Sequence, residues 1–597
     1  MKFHPNEVQA RSRAAAGTLF LAMVFLVGSF FRAQVVQHAS YLLKSEENRL
    51  REVPLPAQRG MIRDRRGAVI AENVPGYTVS VLSPRQDSLR AVLARVATVI
   101  PISPEQTDLA LRRFRRSANR PTVILNSASF DIVSRLEEHR LLFPGLIIQQ
   151  TPKRFYPDGP AVASLVGYTG EVTEAELATA AYLGYKPGQQ VGRVGLERQY
   201  EQRLRGHEGV RFVEVDARGR VVRDADTRDV VLPEPATPLN TNIDLDLQRF
   251  VAGIFGDSLT GAAVALDPVT GDVLALHSGP SFDPNRFIGG VSSAYYEQLR
   301  NDPRRPLLNK ATQGRYPPGS TWKLATAVTA LELGLVRMDE HMQVPCTGAY
   351  QYGNRPFKCH LAKGHGSLTL AQAIEQSCDV YFYQLGLKIG LDRLIAGGIK
   401  LGAGSRSGVD LPNDNRPFYP TEPVAEYFNR KYGPAGWSGQ GPSLSLSIGQ
   451  GENTQTVIGL AKFYTALAMG GEAVAPRIVR GDPIKSRIFD LDSATLAGLR
   501  DALTGVVSRG TAASARIQGV VMAGKTGTAQ SGKVVAGKEL NHAWFAGFAP
   551  ADAPRIVVAV MLEFGGHGPR AAHIASKIIE HYLRAAPVTF IKTEGEW

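Results

Sequence analysis

Hydrophobic positions change their period several times along the chain, and each change marks an element. Residues Ala14 to Phe31, AAAGTLFLAMVFLVGSFF, contain no charge. A run with no polar face predicts a helix surrounded by hydrocarbon, at the short end of what spans a core of about 30 Å. Lys2, Arg11 and Arg13 precede it and Arg32 follows, which predicts a cytoplasmic N-terminus. A cleaved signal peptide is the rival, against which stand the length of the run and the lack of an A-x-A site after it. No other stretch is as long and apolar, so the rest is expected outside the cytoplasm as an ectodomain. From Gln34 to Leu50 the pattern is polar and helix-compatible, and Pro54 and Pro56 stop it. Asp64-Arg65-Arg66-Gly67 reads as a turn between two extended segments. Residues 85–145 alternate helical stretches with short strands. Leu196, Tyr200 and Leu204 recur every four residues, which predicts an amphipathic helix ending at Gly206. Alternation from Phe212 to Val222 around Asp216-Ala217-Arg218-Gly219 predicts a hairpin.

The Pro-rich segment Leu232–Pro238 is the best domain boundary in the chain. Beyond it, Thr241–Phe255 reads as a helix starting near Asp244. Ala262–Leu266 and Val273–Leu276 flank a turn at Asp267–Asp272, a buried β-hairpin. Helical patterns dominate 320–400 and 454–470. Strands are expected at 519–530, 542–549 and 555–563, and a helix at 569–584. Strands, then helices, then strands give an α+β fold whose last strands complete the sheet begun at 262–276.

Composition narrows the class. A chain of 597 residues, 44% hydrophobic and 21% charged, is globular and has room for two to four domains. Three cysteines exclude a disulfide scaffold. The formal charge of +13 fits nucleic acid or an anionic membrane surface. No Lys/Arg-rich run or nucleic-acid motif is present, so no nucleic-acid partner is expected.

Candidate chemistry sits after Pro317-Pro318-Gly319, which places Ser320 at the start of a helix with Lys323 one turn on. Residues three apart share a helix face, so Lys323 can reach the Ser320 hydroxyl and act as its base. Alone, Ser-x-x-Lys is weak, because a capping serine and a solvated lysine give the same pattern. Ser377-Cys378-Asp379 in the helical region and Lys525-Thr526-Gly527-Thr528 where strands return change that. The three elements in this order are the penicillin-recognising serine enzyme pattern. Ser320 would attack a carbonyl, Lys323 would take its proton, and Ser377 and Lys525 would pass it to the leaving amine. Thr526 and Thr528 would hold a carboxylate, with the Ser320 and Thr528 N–H groups as oxyanion hole.

The sequence resembles the class B penicillin-binding proteins, monofunctional peptidoglycan D,D-transpeptidases, and most closely their elongation type. Arg59-Gly60-x-Ile62-x-Asp64-Arg65-x-Gly67 and Gly192-x-x-Gly195-Leu196-Glu197-x-x-Tyr200-Glu201-x-x-Leu204-Arg205-Gly206 resemble the family's two pedestal motifs. Arg154-x-Tyr156-Pro157, Gly167-Tyr168, Thr241-x-Ile243-Asp244, Asn309-x-Ala311, Ser447–Gly451 and His542–Gly547 match as well. The resemblance implies an α+β chain: one transmembrane helix, an elongated α/β pedestal, and a transpeptidase domain with a mainly antiparallel sheet between helical layers. The expected divisions are 1–33, 34–236, 237–590 and a tail at 591–597.

The resemblance also implies a donor stem peptide ending in D-Ala-D-Ala, acylation of Ser320 by β-lactams, a SEDS-type glycosyltransferase partner, and an ectodomain in the periplasm. Catalytic roles carry over to Ser320, Lys323, Ser377, Asp379 and Lys525, and substrate binding to Thr526, Gly527 and Thr528. No catalytic cofactor is implied. A hydrolase on the same scaffold, or chiefly a scaffold for the glycosyltransferase, are the alternatives. Asp379 stands where most members carry Asn, which puts in doubt an amide holding the substrate backbone there.

Cys346, Cys359, His365 and Cys378 make up a complete structural zinc set by residue type, with His360 the alternative histidine. A Cys346–Cys359 disulfide with Cys378 free, or three unlinked thiols, account for the same residues.

Overall fold

The computed structural model describes residues 5–38, 50–117, 120–216, 221–225, 229–421, 423–434, 437 and 440–585. The greater part of the expected stalk (39–49), the expected turn at 217–220 and the tail 591–597 lie outside them. Helix α1 (Pro5–Phe31) has 27 residues, about 40 Å at 1.5 Å per residue. Leu19, Phe20, Leu21, Met23 and Phe25 on it are each at least 67% exposed. No described residue covers this apolar surface, and the helix is long and apolar enough to cross a membrane.

The pedestal is built on strand β1 (Val69–Val81), which pairs antiparallel with β2 (Thr122–Ala128) and β3 (Leu146–Phe155). Val79, Val81, Leu89, Leu93, Val96 and Leu136 form its core. Asp64 makes the expected turn by accepting from the backbone N–H groups of Arg66 and Ala68. The helix expected through Leu196, Tyr200 and Leu204 is instead two short pieces, Gly195–Gln199 and Glu201–Leu204, broken at Tyr200. Leu196 and Leu204 are still fully buried. The break accompanies polar demands on this face: Glu197 and Glu201 both turn inward to Arg59 at 2.5 and 2.7 Å. Tyr200 reaches out to Asp410 at 2.7 Å.

The Pro-rich segment is not a free linker. Val231 bridges to Val210 and Glu234 to His207, and Leu239–Asn240 then pairs parallel with Ile62–Arg63. Helix α2 (Leu245–Phe255) starts at Asp244, whose carboxylate accepts from Leu247 N–H. The central sheet follows from β4 (Gly261–Leu266) and β5 (Val273–Gly279). Helices α3 (Lys323–Glu332), α4 (Asp379–Ile389), α5 (Val457–Ala468) and α6 (Ser493–Ser508) come next. Strands β6 (Ala523–Val535), β7 (Lys538–Ala549) and β8 (Ile556–Leu562) and helix α7 (Gly568–Arg584) close the fold. The sheet order is β5-β4-β8-β7-β6, all antiparallel. Every residue of β8 is buried, because α7 and α5 cover the sheet.

Two further details differ from the sequence reading. The stretch 320–400 is not helical throughout: Ala349–Tyr352 and Arg355–Lys358 form a small hairpin. The β6–β7 hairpin also runs past its expected ends to Val535 and Lys538.

Candidate active site

Ser320 lies on a tight 3-10 turn, Gly319–Trp322, that leads into α3. Three bonds from different elements hold this turn. Gly319 N–H donates to Gly449 O at 3.0 Å, Tyr464 O–H to Thr321 O at 3.0 Å, and Trp544 Nε1–H to Pro317 O at 2.9 Å. Strand β6 runs against it. A Cβ at Gly527 would sit 2.8 Å from Pro318 O, and one at Gly319 (φ +54) would sit 2.8 Å from Thr528 O. Glycine at both positions therefore lets the Lys525–Thr528 segment approach the serine turn.

Lys323 is fully buried on the other side. Its Nζ donates to Ser377 O at 2.7 Å, Ser377 Oγ at 3.3 Å and Asp379 Oδ1 at 2.8 Å. Among the described residues it has no hydrogen bond to Ser320 Oγ, the partner expected from helix spacing. Ser377 is tucked between two helices with φ +56, a left-handed conformation that costs a side-chain-bearing residue about 1 kcal/mol or more. Asp379 opens α4, and its second oxygen accepts from His360 N–H at 2.9 Å. Burial opposes its ionisation, but the Lys323 charge and the His360 contact prevail and hold its carboxyl well below the usual carboxylate range. Both oxygens of Asp379 are thus engaged within the protein.

Lys525 is also fully buried, with Nζ 3.2 Å from Thr526 O. Burial first, and then the Lys323 charge, push its pKa well below 10.5. Thr526 Oγ1 lies 2.6 Å from Thr511 Oγ1, and Thr528 Oγ1 accepts from Gly568 N–H at 3.2 Å. Thr511 is a neighbour the sequence reading missed; its only signal is the Arg509-Gly510 step that ends α6 just before β6.

Cys346, Cys359, His365 and Cys378 also converge. All four ligand atoms lie within 4.8 Å of one another. His365 Nδ1 is 3.5 Å from both the Cys346 and Cys359 sulfurs. Four donors about 2.0–2.3 Å from a shared tetrahedral centre would stand roughly 3.5 Å apart. The three thiols are free and buried. The hydrogen bond with Cys378 pushes the Cys359 thiol down, while His360, held by Asp379 and then by Cys359, is pushed up to about 9. The 349–358 hairpin lies between Cys346 and Cys359, and the chain leaves the cluster through Ser377-Cys378-Asp379, so the cysteines and the lysine site share one wall.

A serine turn packed between a buried Lys–Asp pair and a Lys-Thr-Gly strand has the form of a serine acyl-transfer centre. The chain belongs to the penicillin-binding protein family: the penicillin binding protein transpeptidase domain matches residues 261–580, and the penicillin-binding protein dimerisation domain matches 54–235. It is 32% identical over 592 residues to the peptidoglycan D,D-transpeptidase MrdA of Acinetobacter baumannii, covering 95% of this chain and 87% of that protein. The MrdA of Escherichia coli K12 is 31% identical, with 96% of this chain and 93% of that protein covered. The penicillin-binding protein PBP2 of Helicobacter pylori, solved in complex with MreC, superposes with a TM-score of 0.77 at 26% identity, over 89% of this chain and 99% of that one. PBP2 of Pseudomonas aeruginosa in complex with WCK 5153 gives 0.67 at 29%, over 91% and 99%. The protein is a serine-type peptidoglycan D,D-transpeptidase, and acyl transfer of this kind needs no catalytic cofactor.

Proposed function

We propose that Ser320 is the nucleophile that takes the donor stem peptide from its terminal D-Ala. Its Oγ attacks the carbonyl of the penultimate D-Ala, and its proton passes to Lys323. Ser377 Oγ, 3.3 Å from Lys323 Nζ, relays it with Lys525 to the amine of the departing D-Ala. The amine of a neighbouring stem peptide then attacks the ester, forms the crosslink, and returns a proton to restore Ser320. Asp379 positions Lys323. Thr526 and Thr528, on the strand that the glycines bring against the serine turn, bind the donor carboxylate beside Lys525, and Gly527 leaves the room for this. The observation that carries this reading is the buried Lys323 Nζ bonded to Ser377 and Asp379, with a second buried lysine, Lys525, on the strand that packs against the serine turn.

Benzylpenicillin followed by intact-protein mass spectrometry tests it. A stable adduct on the Ser320 peptide is expected, absent in Ser320→Ala. A folded protein that takes no adduct, or one that turns the drug over rapidly, would sink the transpeptidase assignment of Ser320.

The finer biology rests on the same basis. The cysteine–histidine set is assigned to one structural zinc ion held by Cys346, Cys359, His365 and Cys378; three buried thiols and a half-buried imidazole within 4.8 Å of one another support it. A native spectrum showing a zinc-sized mass, lost on denaturation, is the expected result, and a zinc-free folded protein would refute it. The elongation role, an MreC-like partner and a SEDS-type glycosyltransferase extend to this chain from the resemblance and from the Helicobacter pylori complex. Co-purification from membranes checks both partners. The division into anchor (1–33), pedestal (34–236), transpeptidase domain (237–590) and tail (591–597), with the N-terminus cytoplasmic and the ectodomain periplasmic, completes the reading. Protease protection in spheroplasts checks the orientation.

A further inference from the structure

The pedestal holds a cleft of about 400 Å³, well away from the serine turn and within the range of small-ligand sites. Its walls come from β1, β2, β3 and the 184–190 and 205–208 segments. Arg154 lines it and is 5% exposed. Its Nε is committed to Glu197 at 2.6 Å. Its two terminal nitrogens, both buried, have no hydrogen-bond partner in the protein. Two more buried polar atoms in the same lining are unpartnered: Thr122 Oγ1 and Gln190 Oε1. A buried donor left unmade costs about 1–3 kcal/mol, so unpaired groups in one cleft call for a ligand or ordered water.

The sign of the cleft favours an anion. Lys153, Lys186 and Arg205 also line it, and the one carboxylate in the lining is Glu208. Among the described residues no ion pair engages those three cations. The free edge of Arg154 is a planar two-nitrogen fork, the geometry that takes a carboxylate through two parallel bonds. The Thr122 hydroxyl adds a third donor, and the Gln190 amide can turn its NH2 inward as a fourth.

We propose that this cleft is a second binding site, one that takes a carboxylate ligand on the Arg154 fork. The carboxylate belongs either to the C-terminus of a short peptide or to a free dicarboxylate, and the cleft volume admits both. Nothing in the site requires the acylation chemistry, so the two stand or fall separately.

The test uses the full-length protein in detergent after acylation with benzylpenicillin, which closes the active site and scores the transpeptidase reading in the same sample. Isothermal titration then compares N-acetyl-trialanine, its C-terminal amide, glutarate and inorganic phosphate. One saturable site per chain is expected for the free-acid peptide or for glutarate, whichever binds tighter naming the source, and none for the amide. Gln190→Glu, which sets a negative charge against the ligand, should weaken binding at least tenfold, and Thr122→Val several-fold. Both variants should acylate like the wild type, and both leave the Arg154–Glu197 pair intact. No binding by either carboxylate would leave only water in the cleft and overturn the proposal. So would phosphate or the amide binding as tightly as the acid, or binding that neither variant weakens.

Discussion

Asp379 touches three things at once: the Lys323 ammonium, the His360 backbone and, through its neighbour Cys378, the thiol cluster. Removing one partner of a buried pair costs more than the pair contributes, because the other charge is stranded. Asp379→Ala should therefore lower the unfolding free energy by about 3 kcal/mol, with Asp379→Asn milder because its amide oxygen still accepts from Lys323. Urea unfolding of the two variants checks the order; an equal loss would refute it. Lys525 gives the opposite case. Its folded pKa lies below 10.5, so the unfolded chain binds its proton more tightly than the folded one. The resulting penalty is fully present below the folded value and vanishes as pH rises to 10.5. Lys525→Met should thus be more stable than wild type near neutrality, and the gap should close toward pH 10.5 in parallel unfolding curves. These two residues were legible in the sequence as chemistry, because the motif order is specific. The motifs also set Ser377 and the Asp379 carboxylate beside Lys323, as the fold has them; the bond to Ser320 that helix spacing predicted is the part that differs.

The turn at Gly319–Trp322 and strand β6 work as one unit, since neither glycine tolerates a Cβ. Gly527→Ala should push the strand off the serine turn. Because displacements of about 1 Å can cost roughly a hundredfold in rate, benzylpenicillin acylation should slow by about that factor while far-UV circular dichroism stays unchanged. Full acylation speed would show the contact to be slack. Ser377 stores strain instead. Ser377→Gly should be about 1 kcal/mol more stable than Ser377→Ala, since glycine adopts φ +56 freely, with both slow to acylate. Thermal unfolding beside the acylation assay separates the two effects. Strands and helices of the transpeptidase half were readable because their periods are clean, as in the fully buried β8. The 349–358 hairpin was not, since its short polar strands carry no period. The break at Tyr200 was hidden too, because a regular spacing of apolar residues says nothing about where Glu197 and Glu201 must turn.

Across the whole molecule, Glu197 ties together three distant segments: Arg59, Arg154 with Tyr156, and its own helix. Burial works against its charge, yet the two guanidinium groups win and its pKa falls below 4.5. The unfolded carboxylate therefore takes up protons first on acidification. The stability this network contributes is present above pH 4.5 and is lost as pH drops through the lower folded value. Acid unfolding of the wild type should show that loss, and Glu197→Gln should be less stable at neutral pH and flatter against acid; an identical acid profile would count against the network. The wall formed by Ser377, Cys378 and Asp379 has a further consequence for how such a protein can change under drug pressure. Three adjacent side chains answer to three different neighbours: a lysine, a thiol cluster and the His360 backbone. Drift at any one of them disturbs the other two, so this wall is closed to gradual remodelling. Substitutions that spare the fold are therefore expected at exposed positions away from this wall, such as Phe564.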